Sequence, residues 1–316
     1  MKRGGPKNVV ASVQARLVER SRALGVEHQL TLARFAGERL LYRLSTSEFA
    51  DKFILKGATL LLMWLSGPIR PTKDVDLLAF GDTSAEALTH IFVTLCAIDA
   101  DDGLTFQADS IQVDPIREDQ EYGGLRVKLM AMLGNVRIPL QVDVGAGDAV
   151  VPPPELLDFR GLLDLPQARL RMYRPETSIA EKTEAIIRLG MANSRMKDFF
   201  DIHELAATRA FDGDVLRRAV VATFTRRGTE VPRERPLALT TEFANNAQKQ
   251  AQWAPFVRRT RRPELRDLPP IIGQISAFLW PVLQASARAE AWPCTWSAGG
   301  PWKEHRRLEV PPGGGC

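Results

Sequence analysis

Cysteine is nearly absent: three residues in 316, Cys96, Cys294 and Cys316, odd in number and far apart. That excludes a disulfide framework. With only four histidines, equally dispersed (His28, His90, His203 and His305), it excludes a Cys/His zinc cluster as well. Long apolar runs are missing too. The longest, residues 58–65, falls far below the roughly 20 residues that a membrane span needs. The first ten residues, Met1 to Val10, are polar and basic without an apolar core, so no secretory leader is expected. Internal repeats are absent. What is present is ordinary: 45% hydrophobic and 25% charged residues, enough apolar surface to offset chain entropy and exclude wholesale disorder. The expectation is a cytoplasmic protein, not a membrane one, of one large or two small domains.

The distribution of charge is more informative. The net charge is +4, yet residues 1–50 hold nine Lys/Arg against four Asp/Glu, residues 74–121 one against twelve, and residues 160–235 fifteen against eleven. An acidic middle thus lies between basic flanks. Nucleic acid or a polyphosphate suits the flanks; the acidic stretch repels it unless a cation intervenes.

Residues 1–50 predict helices: Leu32, Phe35, Ala36, Leu40, Leu41 and Leu44 recur at three- and four-residue spacing, with Arg34, Glu38, Arg39 and Arg43 on other faces. Phe53-Ile54-Leu55-Lys56 reads as a short strand ending at Gly57, and 58–65 as a helix. From Asp74 to Phe80 the period becomes two: Val75, Leu77 and Ala79 point one way, Asp74 and Asp76 the other. A helix over 84–99 follows, then strands over 110–116, 125–133 and 136–144, the last two joined by a Gly134-Asn135 turn. Pro152-Pro153-Pro154 opens a connector that runs to Pro175. Helical patterns occupy 177–192, 194–210, 214–224, 236–252 and 271–284; Trp253 and Trp280 on them read as core. Residues 290–316, rich in Gly and Pro, read as a disordered tail.

Three constellations are suited to chemistry. Gly57-Ala58 is followed, seventeen residues later, by Asp74-Val75-Asp76. Carboxylates at i and i+2 of a strand share a face about 6–7 Å apart, within reach of one Mg²⁺ or two neighbouring ions. A glycine opening a helix offers backbone N–H groups to phosphate. A solvated strand face gives the same pattern. In Leu140-Gln141-Val142-Asp143-Val144 the alternation puts Asp143 on the polar face. Beside the first pair it would be a third metal ligand, or the general base for an attacking hydroxyl; alone it would be an edge-strand residue or a cap. Lys182 falls in line with Ile179 and Ile186 on an apolar stripe, where it either snorkels or reaches an anion. On the next helix Asp198 and Asp201 share a face and Lys197 stands four before Asp201, a pattern that a surface ion pair also produces. Arg258-Arg259-Thr260-Arg261-Arg262 suits an RNA backbone, a partner protein or a solvated loop.

In combination these segments resemble the AbiEii/AbiGii family of nucleotidyltransferase toxins. The resemblance runs in order from about residue 10 to 285, carried by Glu38-Arg39-Leu40-Leu41-Tyr42-Arg43-Leu44-Ser45, Phe53-Ile54-Leu55-Lys56-Gly57-Ala58 and Arg70-Pro71-Thr72-Lys73-Asp74-Val75-Asp76-Leu77-Leu78. It continues with Val142-Asp143-Val144-Gly145, Ala180-Glu181-Lys182 and Asn193-Ser194-Arg195-Met196-Lys197-Asp198-Phe199-Phe200-Asp201. The resemblance implies a polymerase-β-type nucleotidyltransferase fold, α/β (α+β) with a mixed sheet. N-terminal helices would occupy 1–50, the nucleotidyltransferase core 51–150, a connector 151–175, a helical C-terminal domain 176–289 and the tail 290–316.

It also implies Mg²⁺-dependent transfer of a nucleoside monophosphate from an NTP to an acceptor, the 3′ end of tRNA in related toxins, and a cognate antitoxin as partner. Residue by residue, Gly57 and Ala58 fall at the phosphate-binding turn. Asp74 and Asp76 fall at the metal-binding pair, with Asp143 as third carboxylate and Lys73 on the nucleotide. Lys182 matches the lysine that grips the triphosphate, Asp198 and Asp201 match the carboxylates of the last motif, and Arg195 and Lys197 are nearby phosphate contacts. Ala58 stands where the superfamily has Ser or Gly, and Phe200 where a tyrosine is expected. Nucleotidylylation of a protein, hydrolysis of nucleic acid by Asp74, Asp76 and Asp143, and a non-catalytic RNA- or partner-binding role are the alternatives.

Overall fold

The computed structural model describes residues 8–65, 70, 72, 74–116 and 124–304. The chain divides into two compact units, residues 1–149 with 153–174, and residues 150–152 with 175–316.

The first unit begins with α1 (Val9–Leu24), started by the Asn8 side chain accepting from the Ala11 N–H and stopped at Gly25, whose φ of 61° turns its N–H back to the helix carbonyls. Next come α2 (His28–Ser45), β1 (Phe53–Lys56), a 3₁₀ turn at Ala58–Leu60 running into α3 (Leu61–Trp64), β2 (Val75–Ala79) and α4 (Ala85–Cys96). Strands β3 (Leu104–Pro115), β4 (Leu125–Leu133), β5 (Val136–Ala146), β6 (Glu155–Phe159) and β7 (Ala168–Met172) complete it. They form one seven-stranded sheet in the order β3-β4-β5-β2-β1-β7-β6. Pairs β2–β5 and β1–β7 are parallel and the rest antiparallel. The mixed sheet is the one expected. Its last two strands are a correction: residues 151–175 were expected to be a connector, but the three prolines end before Glu155, and Ala168, Leu170 and Met172 alternate inward exactly as a half-buried strand requires.

Helix α2 packs on β5 and β7 and against α1 and α4. Its expected stripe is buried, each large side chain contributing about 1.5–3 kcal/mol. Its other faces depart from expectation: Glu38, Arg39 and Arg43 are buried too. Pairing makes that tolerable. Asp102, 1% exposed, accepts from Arg39 Nε at 2.7 Å and from Arg43 Nη1 and Nη2 at 2.7 and 3.2 Å. Burial pushes the Asp102 carboxyl up, but the hydrogen bonds from Arg43 and Arg39 outweigh it and hold the group below the usual carboxylate range.

The second unit contains α5 (Pro175–Leu189), α6 (Met196–Thr208), β8 (Phe211–Asp212), α7 (Gly213–Arg226), α8 (Thr241–Asn245), α9 (Ala247–Thr260), α10 (Leu268–Ala287), β9 (Cys294–Trp296) and β10 (Trp302–Glu304). The helix expected over 236–252 is broken into a 3₁₀ turn, α8 and α9, because the Thr240 and Asn246 side chains each cap a new start. Among the described residues α10 is the one helix long and apolar enough to cross a membrane; its Ile271, Ile275, Phe278, Leu279 and Val282 are buried within the unit. The tail expectation fails for 290–304. Strands β8, β9 and β10 form a small sheet, and Phe278 packs on Phe211, Trp296 and Trp302 with centroids 5.0–5.7 Å apart. Aromatic burial outweighs the local Gly and Pro content there. Residues 305–316 lie outside the described residues.

Candidate active site

Strand register builds the first part of the site. Lys56 on β1 pairs with Asp76 on β2, Asp76 with Asp143 on β5, and Asp143 with Arg126 on β4. Opposed residues share a face of a sheet, so four adjacent strands present a row of one lysine, two aspartates and one arginine. The next row, Leu55, Leu77 and Val144, is buried on the other face. A period-two alternation on four strands, brought into one register, thus gathers all this charge on one side.

Asp76 is seated against Gly57. A Cβ added to Gly57 would lie 1.9 Å from Asp76 Oδ2 and 2.4 Å from its Cγ. Gly57 also has φ 74° and ψ −163°, a backbone region open essentially to glycine alone. The glycine is therefore required twice, by conformation and by space. The 3₁₀ turn that follows holds Ala58 and Thr59, and the Thr59 hydroxyl donates to the Asp74 carbonyl at 3.1 Å. That bond ties the turn to the residue that starts the Asp-Val-Asp segment.

The flanking cations are engaged. Arg126 donates from Nε and Nη2 to the two Asp143 oxygens at 2.8 and 2.9 Å, and the Gln141 amide adds a bond of 3.2 Å. Lys56 Nζ lies 2.5 Å from Asp148 Oδ2 in the loop after β5 and 5.3 Å from the Tyr173 ring centre. Asp148 lies in the loop after β5 and holds the Lys56 ammonium from there. Two carboxylates about 5 Å apart on neighbouring strands repel by roughly 1–3 kcal/mol in a partly exposed site, and the guanidinium offsets that repulsion.

The donor set suits a hard cation. Asp74 is exposed and Asp76 half-exposed, and both offer carboxylate oxygen. Among the described residues no three His, Cys, Asp or Glu side chains converge on one point. Mg²⁺ ordinarily binds through one or two carboxylates plus waters and substrate phosphates, so a pair is enough for a metal delivered with a nucleotide. Lys73 lies outside the described residues.

The second unit gathers the other expected residues. Lys182 on α5, 13% exposed, places Nζ 3.0 Å from Asp198 Oδ1 and 2.9 Å from Asp201 Oδ2, both carboxylates fully buried on α6. Arg195, the residue before α6, reaches Asp198 Oδ2 at 2.8 Å. Lys182 thus reaches anions rather than water, and they are the protein's own. Burial pushes the Asp198 carboxyl up, but Lys182 and Arg195 together hold it below the usual range. Lys197 is exposed, and Asp201 pairs with Lys182. The turn before α6 is fixed from two directions: Asn193 Oδ1 accepts from the Arg195 N–H at 2.7 Å, and buried Lys249 donates to the Asn193 carbonyl at 2.6 Å. Burial lowers the Lys249 ammonium. His203 on α6 is buried, with Nε2 2.5 Å from Gln274 Oε1.

Sequence reasoning missed Lys56, Arg126 and Asp148. The alternation Leu125-Arg126-Val127-Lys128 on β4 put Arg126 on a polar face; the register that makes it a neighbour of Asp143 was invisible.

A model of the family described as Nucleotidyl transferase AbiEii toxin, Type IV TA system, matches residues 39–278, well over half of the chain. No curated protein matches the sequence. Among solved structures the chain is similar to JHP933 from Helicobacter pylori, at 16% identity and a TM-score of 0.45, covering 82% of this chain and 90% of that one. It is also similar to an H. pylori protein described as a candidate nucleotidyltransferase, at 14% identity and a TM-score of 0.47, covering 84% of this chain and 100% of that one.

Proposed function

The chain belongs to the AbiEii family of nucleotidyl transferase toxins of type IV toxin–antitoxin systems, and on that premise we propose that it moves a nucleoside monophosphate from an NTP onto an RNA acceptor, the 3′ end of tRNA, and so blocks translation. An NTP substrate and an antitoxin partner follow from the family; the acceptor, the use of Mg²⁺ and the residue roles are the proposed part. The observation that carries the reading is the seating of the Asp76 carboxylate against a glycine with no Cβ to obstruct it.

Asp74 and Asp76 would hold the metal, the backbone N–H groups of the Gly57-Ala58 turn would meet phosphate, and Lys73 is assigned to the nucleotide by the family resemblance alone. When bound, Mg²⁺ neutralises phosphate charge and favours in-line displacement at phosphorus. The acceptor hydroxyl oxygen then bonds to the α-phosphorus as the bond to pyrophosphate breaks. Asp143, oriented by Arg126, takes the hydroxyl proton. In the second unit Asp198 and Asp201 hold Lys182, and Asp198 also holds Arg195; Lys182, Arg195 and Lys197 would contact phosphate in exchange for, or in addition to, these pairings.

The test is transfer of label from α-³²P-labelled NTPs to total tRNA in Mg²⁺, run beside Asp76→Asn. RNA labelled by the parent, and not by the variant or in chelator, is the expected result. Label on protein would establish nucleotidylylation instead, and shortened RNA a nuclease. No label, with Asp76→Asn as toxic in cells as the parent, would sink the catalytic reading.

A further inference from the structure

The arginines at the end of α9 have no part in the chemistry above. Arg258, Arg259, Arg261 and Arg266 are exposed, and among the described residues none of them makes an ion pair. Arg262 is different. It pairs with Glu204, a nearly fully buried carboxylate on α6, and with exposed Glu264. A buried carboxylate is costly to leave unpaired, so this bond pins the loop between α9 and α10 to the helix that carries Asp198 and Asp201. The other four arginines are therefore displayed from a fixed frame. Arg258 and Arg259 sit in the last turn of α9, where cations are favoured by the helix dipole. Arg261 occupies the left-handed position after the helix at φ 59°, a place where glycine would relieve strain. Keeping arginine there retains a charge at the expense of backbone comfort.

We propose that this patch is the docking surface for the phosphate backbone of the RNA acceptor, an inference that rests on the RNA reading above. Its chemistry separates a polyanion from a protein. Every cation is arginine, whose planar fork pairs bidentately with phosphate. None of the large hydrophobic side chains left exposed among the described residues falls between 247 and 270, so the apolar centre of a protein interface is missing.

The experiment measures binding of a fluorescent tRNA to the full chain by anisotropy from low to moderate salt, alongside binding of a fluorescent ATP analogue. Each single Arg→Gln change at 258, 259, 261 or 266 should reduce the slope of log K against log salt by about 1, as expected for one lost phosphate contact. The fourfold variant should lose at least about tenfold in RNA affinity at 0.1 M salt. ATP binding and the melting temperature should be unchanged. The fourfold Arg→Lys variant should keep the salt slope, since it keeps the charges. RNA affinity and slope unchanged in the Gln variant would overturn the patch while leaving the RNA acceptor standing. So would selective loss of binding to a poly-glutamate peptide. A parent chain that binds ATP but no RNA would overturn both.

Discussion

Gly57→Ala tests the geometry on which the site depends. The new Cβ would stand 1.9 Å from Asp76 Oδ2, whereas ordinary contact begins at 3.4 Å, so the carboxylate must move by about 1.5 Å. Alanine must also hold φ 74° and ψ −163°, which costs about 1–3 kcal/mol. A misplacement of about 1 Å in a catalytic constellation typically costs about 100-fold in rate. Label transfer by Gly57→Ala should therefore fall by at least that factor, and the loss in urea unfolding should exceed the backbone cost of about 1–3 kcal/mol by the cost of displacing Asp76. The two causes can be separated by making the same change beside Asp76→Gly, which removes every Asp76 side-chain atom that the methyl would strike. In that background only the backbone cost should remain, and the difference is the coupling between the two positions. Equal stability losses in both backgrounds, together with transfer within severalfold of the parent, would refute the claim that Gly57 places Asp76.

Lys182→Ala should destabilise the second unit by about 3–5 kcal/mol in urea, because two buried carboxylates lose their shared cation; Lys182→Met with Asp201→Asn should recover part of it. Arg126→Gln should tighten Mn²⁺ binding severalfold in calorimetry without nucleotide, since a positive charge beside Asp143 is removed; unchanged or weaker binding would contradict the row of charges. The Asp102 carboxyl is held below its unfolded value, so its stabilising effect is present above pH 3.8 and lost as pH falls below that. Asp102→Asn should flatten that acid limb in pH-dependent urea titrations. Burial pushes the Cys96 thiol up to about 11 from 9.0, so native Cys96 should alkylate more slowly at pH 9 than in the unfolded chain, read by peptide mass spectrometry. Its contribution to stability should decline as pH rises from 9.0 towards 11.

Local pattern made much of this legible. The alternation around Asp76 and Asp143 identified two strands and the face of each carboxylate, and the stripe on α2 identified its buried side. What stayed hidden depends on pairing between distant segments. Nothing near Arg126 says that β4 will set it opposite Asp143, and nothing near Lys56 says that Asp148 will take its ammonium. Charged residues on α2 read as wet because periodicity counts polarity; the partner that makes Arg39 and Arg43 buriable, Asp102, is about sixty residues away. The strands of 155–172 were obscured by prolines that end just before them, and the late aromatic sheet by its glycines. For the site, Gly57 and Asp76 were nominated together as phosphate turn and metal ligand, but the close approach that makes one admit the other arises only when β1 and β2 pair.

The sheet order has a consequence in time. β1 ends at Lys56, yet its second neighbour, β7, ends at Met172. During synthesis at about 5–20 residues per second, one edge of β1 waits several seconds or more for its partner to be made. From the completion of β5 to the end of that interval the chain contains Asp74, Asp76 and Asp143 while the strand leading into Gly57 is supported on one side alone. A nascent chain stalled before β7 would carry all three carboxylates on an unfinished frame with an open strand edge, ready to pair with the wrong neighbour.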